Sequence, residues 1–565
     1  MSAALYPCET CEISVKNDES TASTVTEVLV VGAGPVGACL AGDLGQRGIK
    51  CTVVEATDGS VRDPRLHAVN IRTMELARRW GLVDALRNCG WPAEHLQDVV
   101  YTTKIGGYEL GRLAWPSISE MTPPAQSPVF AQRCPQNWFN PILHKFAKAQ
   151  TSVDLRFLHR LVSFVQADDH VTALIEDLEN DTQYSIKARF MVACDGGRSF
   201  TRKALGLQRE KAGPIGFAAD GVFRSPALAK RNGRVEAGRY TIITPQGMSF
   251  SLLPMDGKEL YRMMLYVEPT KATADRVLDA IRYSIGEDIP FDMVGDVLHW
   301  VPRVTMAEQF RVGRIFIAGD AAHTMPTAGG FGMNTGILDA ADLGWKLAAV
   351  LRGWGGPKLL DSYHVERKPA AQRISTMASA IYKQFHVMGD EIKAYGNATL
   401  EESPAGVKAR TEIGDKLTGF FRREFNAIGG ALGYKYEGSP ICIPDGSEPP
   451  EDSMVDYIQT SRPGHRAPHA WIGEGLSTLD LFGDGFTIIH SGGEMGSCAA
   501  FQESATRRNI PLRVVSYSGD PVRNLYPKNL TLIRPDGHVA WRGDEFDQPP
   551  EEVLSIVTGS GPTTA

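Results

Sequence analysis

The chain contains no run of about 18 consecutive apolar residues, so no stretch of it reads as a membrane-spanning helix. No basic segment followed by an apolar core opens it, as a secretory leader would require, and a cytoplasmic location is the expectation. Nine cysteines spread over 565 residues do not make a disulfide framework. Cys8 and Cys11 form a CxxC in a polar Ser/Thr/Glu-rich leader, with no second pair to complete a zinc site, and no metal is expected. A formal net charge of −7 removes any general attraction to nucleic acid or to acidic membranes. Neither a nucleophile elbow nor a zinc-protease helix is present, and no internal repeat or low-complexity tract stands out. The hydrophobic content of 43% and charged content of 22% are those of a globular protein, and the length exceeds one hydrophobic core, so two or three domains are expected.

What is present is a set of glycine-centred sites. Glu27-Val28-Leu29-Val30-Val31 is an apolar strand running into Gly32-Ala33-Gly34-Pro35-Val36-Gly37, and Val36 to Arg47 follows with helical spacing. Glycines there permit the tight turn, the close approach of backbone N–H groups to a pyrophosphate, and helix packing. Cys51-Thr52-Val53-Val54-Glu55 is a second strand ending in an acid, about 20 residues beyond the motif, where a ribose hydroxyl needs an acceptor. Far downstream, Gly319-Asp320-Ala321-Ala322-His323 precedes the glycine-rich turn Gly329-Gly330-Phe331-Gly332-Met333-Asn334 at another helix start. The two sites together read as one FAD held at both ends. Between them, the strand Ala188–Cys194 ends in Asp195-Gly196-Gly197-Arg198-Ser199, with Arg202 close behind.

In this order the three motifs, with Asp339–Leu347 and Leu360–Arg367 behind them, resemble the single-component flavoprotein aromatic hydroxylases of the para-hydroxybenzoate hydroxylase type. The resemblance spans roughly residues 27 to 370. It implies that Gly32, Gly34, Pro35, Gly37 and Glu55 hold the ADP half of FAD, and that Asp195 serves both flavin and nicotinamide binding. It implies further that Gly319 and Asp320 take the ribityl chain and that Gly332, Met333 and Asn334 set backbone N–H groups against the N1/O2 edge of the flavin. Gln136, in Arg133-Cys134-Pro135-Gln136, matches a family glutamine near the cofactor. This chain departs from the family pattern in having Ala56 for a common basic residue, Thr327 for a second proline after Pro326, and Asn140 for an acid. A backbone carbonyl at Thr327 is still available to face flavin or substrate.

Such an enzyme reduces FAD with NAD(P)H, forms a flavin C4a-hydroperoxide with O2 and transfers hydroxyl to a phenolic ring. That chemistry asks for a dry pocket with a few polar groups and for no nucleophile triad. Strands at Tyr240–Ile243, Met248–Leu253 and Leu260–Val267 make an inserted antiparallel sheet, one face of which could cover the flavin. Tyr240, Phe250 and Tyr266 are candidate lining residues, against the plainer reading of core aromatics. Arg65 and His67, after the second strand, are candidates to reach flavin or substrate.

The expected fold is α/β. Residues 1–25 read as a disordered leader, and 26–95, 130–205 and 305–400 as a discontinuous Rossmann-like FAD-binding domain. Residues 96–129 and 206–304 read as the substrate domain, 401–452 as a helical segment and linker, and 453–565 as a C-terminal domain. The strands Phe486–His490 and Leu512–Ser516 and the hairpin Leu530–Trp541 resemble the thioredoxin-like domain of the phenol hydroxylase subgroup, without its own CxxC. Their apolar faces must bury against the flavin domain or a second subunit, and a homodimer is the expected assembly. Two alternatives stay open: a Baeyer–Villiger or epoxidising monooxygenase on the same scaffold, and a non-catalytic flavin-binding sensor.

Overall fold

A computed structural model describes residues 4–6, 24–61, 64, 68–214, 218–231, 237–266, 273–286, 288–492, 496–517, 519–544 and 548–561. Thr24–Val31 is a central strand, parallel to Cys51–Glu55 on one side and Thr182–Ala193 on the other. Strands covered on both faces need near-continuous apolar runs, and Val28, Leu29 and Val30 are accordingly fully buried. Val153–Phe157 and Ile315–Ile317 extend the parallel layer, while His159–Gln166 and Val171–Asp177 add an antiparallel wing. The helices Pro35–Gln46 and Phe331–Leu351 share one core with Val28 and Val30. Ala4–Tyr6, within the segment expected to lack structure, pairs with Phe164–Gln166; residues 7–23, with Cys8 and Cys11, lie outside the described residues.

The inserted sheet has the strand order Asp292–Trp300, Ala218–Arg224, Leu260–Tyr266, Gly247–Pro254, Arg239–Thr244, Val99–Thr102, Glu109–Leu113. All neighbours are antiparallel except Arg239–Thr244 and Val99–Thr102. Strand alternation sorts its residues onto two faces. Tyr240, Ile242, Leu252, Met263 and Leu265 close a core under the helix Ala274–Ile285. Their neighbours Arg239, Thr241, Ser251 and Arg262 occupy the other face. At one end, Tyr101, Ile243 and Met248 pack on Met388, Ile413 and Phe421 from the helices Pro357–Lys393 and Pro404–Phe425.

In the C-terminal unit Phe486–His490 runs parallel to Leu512–Ser516 and antiparallel to Leu530–Ile533, which pairs with Val539–Gly543. Helices Gly496–Arg507, Asp520–Leu525 and Pro550–Val557 complete it. Its apolar strands bury against the first domain: Phe486, Ile488 and Leu532 share a cluster with Trp345, Ala349, Trp354 and Leu359. Trp345 stacks on Trp354 and meets Phe486 edge-on. Among the described residues no helix is long and apolar enough to cross a membrane.

Candidate flavin site

Gly32 ends the central strand at φ +99°, where an L side chain is strained, and a Cβ there would lie 2.5 Å from the Cys194 carbonyl oxygen. That close approach sets the Asp195 turn against the first glycine turn. Gly319, at φ +60°, does the same for the third motif, since its Cβ would lie 2.8 Å from Val36 Cγ2. Three segments remote in sequence thus meet beyond the carboxyl ends of parallel strands, where open α/β sheets bind ligands. Gly34 is the N-cap of Pro35–Gln46, and a side chain there would meet no protein atom within 4 Å. The leading N–H groups of that helix therefore face a cradle that a diphosphate can fill.

Two acids frame the cradle. One Glu55 oxygen accepts the Ala33 N–H at 2.8 Å, and the other accepts the Thr57 N–H and hydroxyl at 2.9 and 2.8 Å. The first oxygen keeps acceptor capacity for a ribose hydroxyl. Asp195 Oδ2 accepts the Thr201 N–H at 2.9 Å, but its Oδ1 is buried and has no hydrogen-bond partner among the described residues. Such an orphan costs about 1–3 kcal/mol, and a donor group of FAD would satisfy it. The residues present fit the cofactor.

The helix Phe331–Leu351 begins at Gly330 with no side-chain cap, so the N–H groups of Gly332 and Met333 lie unpaired in its first turn, just ahead of Asn334. The positive end of a helix favours the negative charge of reduced flavin. The Asn334 side chain is committed elsewhere. Its Oδ1 accepts the Asn70 N–H at 3.0 Å and the Thr73 hydroxyl at 2.7 Å, and its Nδ2 donates to the Ala68 and Gly330 carbonyls at 3.1 and 2.7 Å. Its N–H makes the first backbone bond of the helix, to the N-cap Gly330, so the N–H groups left for a cofactor are those of Gly332 and Met333.

Gln136 opens the helix Gln136–Lys148 and is half-buried. Pro326 is buried and Thr327 exposed, and the Thr327 carbonyl already accepts the Gly330 N–H at 3.2 Å. Asp320 is exposed; its backbone carbonyl accepts from Arg209 at 2.6 Å. Burial and the neighbouring Arg202 push Arg209 down to about 10, against the pull of Asp320 and Asp195, so both acids surround one guanidinium. Arg65 and His67 lie outside the described residues.

Tyr240 requires correction as a lining candidate: the structure puts it in the core beneath Ala274–Ile285, on the face opposite Arg239 and Thr241. Phe250 lies on the same side, edge-on to Tyr283 of that helix. The aromatic rings take the dry core, and the alternation leaves the polar and charged side chains on the face turned toward the flavin domain.

Asp339, read above only as part of a family match, proves to anchor the site. It is fully buried; Oδ2 accepts the Gly319 N–H at 3.0 Å and lies 2.8 Å from His323 Nε2, while Oδ1 accepts Arg367 Nε at 2.9 Å. Burial pushes its carboxyl up, but His323, Arg367 and the Gly319 N–H hold it below the usual range. One carboxylate thereby pins both ends of the Gly319–His323 turn.

Residues 25–378 match the family described as FAD binding domain, and residues 460–560 match the aromatic-ring hydroxylase C-terminal family. The chain is 32% identical over 560 residues to the tetracenomycin B2 monooxygenase-dioxygenase of Streptomyces olivaceus, covering 94% of this chain and 97% of that protein. It is 31% identical over 566 residues to the phenol 2-monooxygenase of a Pseudomonas species, covering 94% and 91%. The solved structure of the rebeccamycin biosynthetic enzyme RebC with reduced flavin shares 36% identity and a TM-score of 0.89, over 96% of this chain and 100% of that one. A flavin cradle built from three remote turns and matches that run nearly end to end agree: the chain belongs to the FAD-dependent aromatic-ring hydroxylases, a family of flavoprotein monooxygenases.

Proposed function

We propose that this enzyme hydroxylates a phenolic ring with O2, using NAD(P)H as reductant. The observation that carries the reading is the way the polar face of the inserted sheet is tied to the flavin turn. Glu424 Oε1 accepts the Gly329 N–H at 3.2 Å and lies 3.7 Å from Arg239 Nη1 on the sheet. Arg262, buried and paired with Asp220, donates to the Pro64 carbonyl at 3.3 Å and ties the same face to the segment after the second strand. A substrate between this face and the Gly332–Asn334 turn is held away from bulk water. Bound FAD, once reduced, supplies the activation of O2 that an aromatic ring cannot bring about by itself. The chain's own part is to hold and orient. Gly34 and the leading N–H groups of Pro35–Gln46 take the diphosphate, Glu55 a ribose hydroxyl and Asp195 Oδ1 a flavin donor, while the uncapped turn at Gly332 favours negative charge on the ring. Likeness to a phenol 2-monooxygenase supports the phenolic class.

The C-terminal strand order, Leu512–Ser516, Phe486–His490, Leu530–Ile533, Val539–Gly543, supports a thioredoxin-like fold. With no CxxC in residues 453–565, its role is packing and assembly into a homodimer rather than dithiol chemistry. The test is to load the purified protein with FAD and screen phenols for stimulated NAD(P)H oxidation and a product heavier by one oxygen. Protein that takes up no flavin, or whose NAD(P)H consumption no phenol raises, would sink the proposal. A lactone or epoxide product would move the reading to a Baeyer–Villiger or epoxidising enzyme.

A further inference from the structure

Two thiols meet beside the segment that leads into Gln136. Cys89 follows the short helix Val83–Arg87, and its Sγ donates to the Arg133 carbonyl at 3.4 Å, on the peptide that continues into Cys134. A second hydrogen bond joins the two thiols directly, and both pack into the core of the flavin domain, Cys134 buried and Cys89 half-buried. The pair is asymmetric. The hydrogen bond from Cys134, joined by the Trp91 N–H and opposed by burial, brings Cys89 down to about 7, while the same hydrogen bond and burial push Cys134 up. Burial also pushes up the thiols of Cys39, Cys51, Cys194, Cys442 and Cys498. Cys134 stands between two elements that reach the flavin cradle. In the strand before it, Arg133 pairs across to Ala68, whose carbonyl accepts Asn334 Nδ2 at 3.1 Å. The helix after it, Gln136–Lys148, carries His144, whose Nε2 lies 2.7 Å from the Ala33 carbonyl of the first glycine turn.

A half-open thiol with a second thiol in contact is the arrangement by which a peroxide is reduced and a disulfide left behind. We propose that Cys89 and Cys134 are a peroxide-reactive pair whose disulfide reversibly alters the flavin turn. The Cys89 sulfur attacks one oxygen of hydrogen peroxide and the O–O bond breaks. Cys89 becomes a sulfenic acid, and the displaced hydroxide leaves as water with the thiol proton. The Cys134 sulfur then attacks the Cys89 sulfur; the S–S bond forms, the S–O bond breaks, and a second water carries off the Cys134 proton. Two thiols lose two electrons to one peroxide, and nothing else is consumed. The oxidant is what O2 becomes when NAD(P)H reduces it and no ring takes the oxygen; that source rests on the hydroxylase reading, whereas the thiol chemistry does not. A disulfide holds its sulfurs about 2.05 Å apart, closer than two hydrogen-bonded thiols, so its formation draws the Cys89 loop and the Cys134 junction together. The junction passes that displacement to Ala68 through Arg133 and to Ala33 through His144.

The experiment adds hydrogen peroxide to the FAD-loaded protein carrying Cys8→Ser and Cys11→Ser, which removes the CxxC of the leader as a competing pair. The intact mass should fall by about 2 Da, a non-reducing peptide map should join Cys89 to Cys134, and the visible flavin bands should shift. Dithiothreitol should restore mass and spectrum together. Adding Cys89→Ser to this background should abolish both changes, and adding Cys134→Ala should leave Cys89 as a sulfenic acid that dimedone captures. If the Cys134→Ala protein does not fold, the peptide map and Cys89→Ser decide. The proposal is overturned if no Cys89–Cys134 link is found, or if the link forms while the flavin spectrum and FAD affinity stay unchanged. It is overturned as well if the spectral change persists in Cys89→Ser, as methionine oxidation would make it, which dithiothreitol does not reverse. A parallel run replaces added peroxide by NAD(P)H and O2 with no phenol present. A link that added peroxide forms and this run does not would uphold the pair and count against the hydroxylase reading as its source of oxidant.

Discussion

Arg534→Met should strongly destabilise the junction between the flavin and C-terminal domains, and more so at alkaline than at acid pH. Arg534 is fully buried and joins three acids: Glu366 at 2.6 and 2.9 Å, Asp536 at 2.6 Å and Asp342 at 3.2 Å. Lys346 supplies the second cation, at 2.8 Å from Asp342 and 2.6 Å from Glu366. Methionine fills a similar volume against Trp345 and Tyr436, whose rings the guanidinium covers at 5.3 and 5.0 Å, but leaves three buried carboxylates on one lysine. Breaking a buried ion pair from one side costs about 3–5 kcal/mol, far more than losing an exposed pair. In the wild-type protein, burial pushes the Glu366 carboxyl up, but Arg534 and Lys346 hold it down to about 2, whereas burial and the charge of Glu366 push Asp342 up to about 7.

The signs follow from proton linkage. The depressed Glu366 contributes stability that is present above its unfolded value and lost as pH falls toward 2. Asp342, raised, takes up a proton on folding, so its contribution falls as pH rises toward 7. Without Arg534 all three acids move up, and the deficit of the variant must grow from pH 5 to pH 8. Urea unfolding followed by tryptophan fluorescence at both pH values checks this. A deficit below about 1 kcal/mol, the worth of an exposed pair, or a larger deficit at pH 5, would refute the reasoning.

Asp339→Asn should loosen the Gly319–His323 turn and weaken FAD binding by about tenfold, read by titrating FAD into flavin-stripped protein, and unchanged affinity would remove the anchoring role. Truncation near Pro450 should lower the melting temperature and alter sedimentation, because Trp345 and Trp354 lose the cover of Phe486; a truncated chain that behaves like the full one would contradict the shared core. Cys498→Ser should leave hydroxylation intact, since Cys498 is buried and no CxxC accompanies it, and lost turnover would mean a redox role. A hydrogen bond from Cys134 brings the half-buried Cys89 thiol down to about 7 against burial, so its alkylation by iodoacetamide should be half-maximal near neutrality and slow as pH falls. Cys134→Ala should shift that profile to higher pH, and an unmoved profile would rule out the pairing.

The flavin motifs were legible from the chain because their chemistry is local. A strand running into Gly32, an acid at Glu55 and a glycine turn before a helix each state their role within a few residues, and the helix and strand periods confirm the context. The same locality sets the limit. Alternation along Arg239–Thr244 shows that Tyr240 and Arg239 lie on opposite faces, but which face meets the flavin domain depends on the helix Ala274–Ile285 covering one side. Asp339 resembles any other acid on a helix until the fold lays the Gly319 turn over it, and Arg534 meets Glu366 across 168 residues. By itself the sequence determined the cofactor and the enzyme class, since turns that grip a diphosphate need particular residues in particular order. Tertiary structure decided which face of the inserted sheet a helix covers and which side chains hold the glycine turns in place, because burial and ion pairing depend on neighbours that no local pattern encodes.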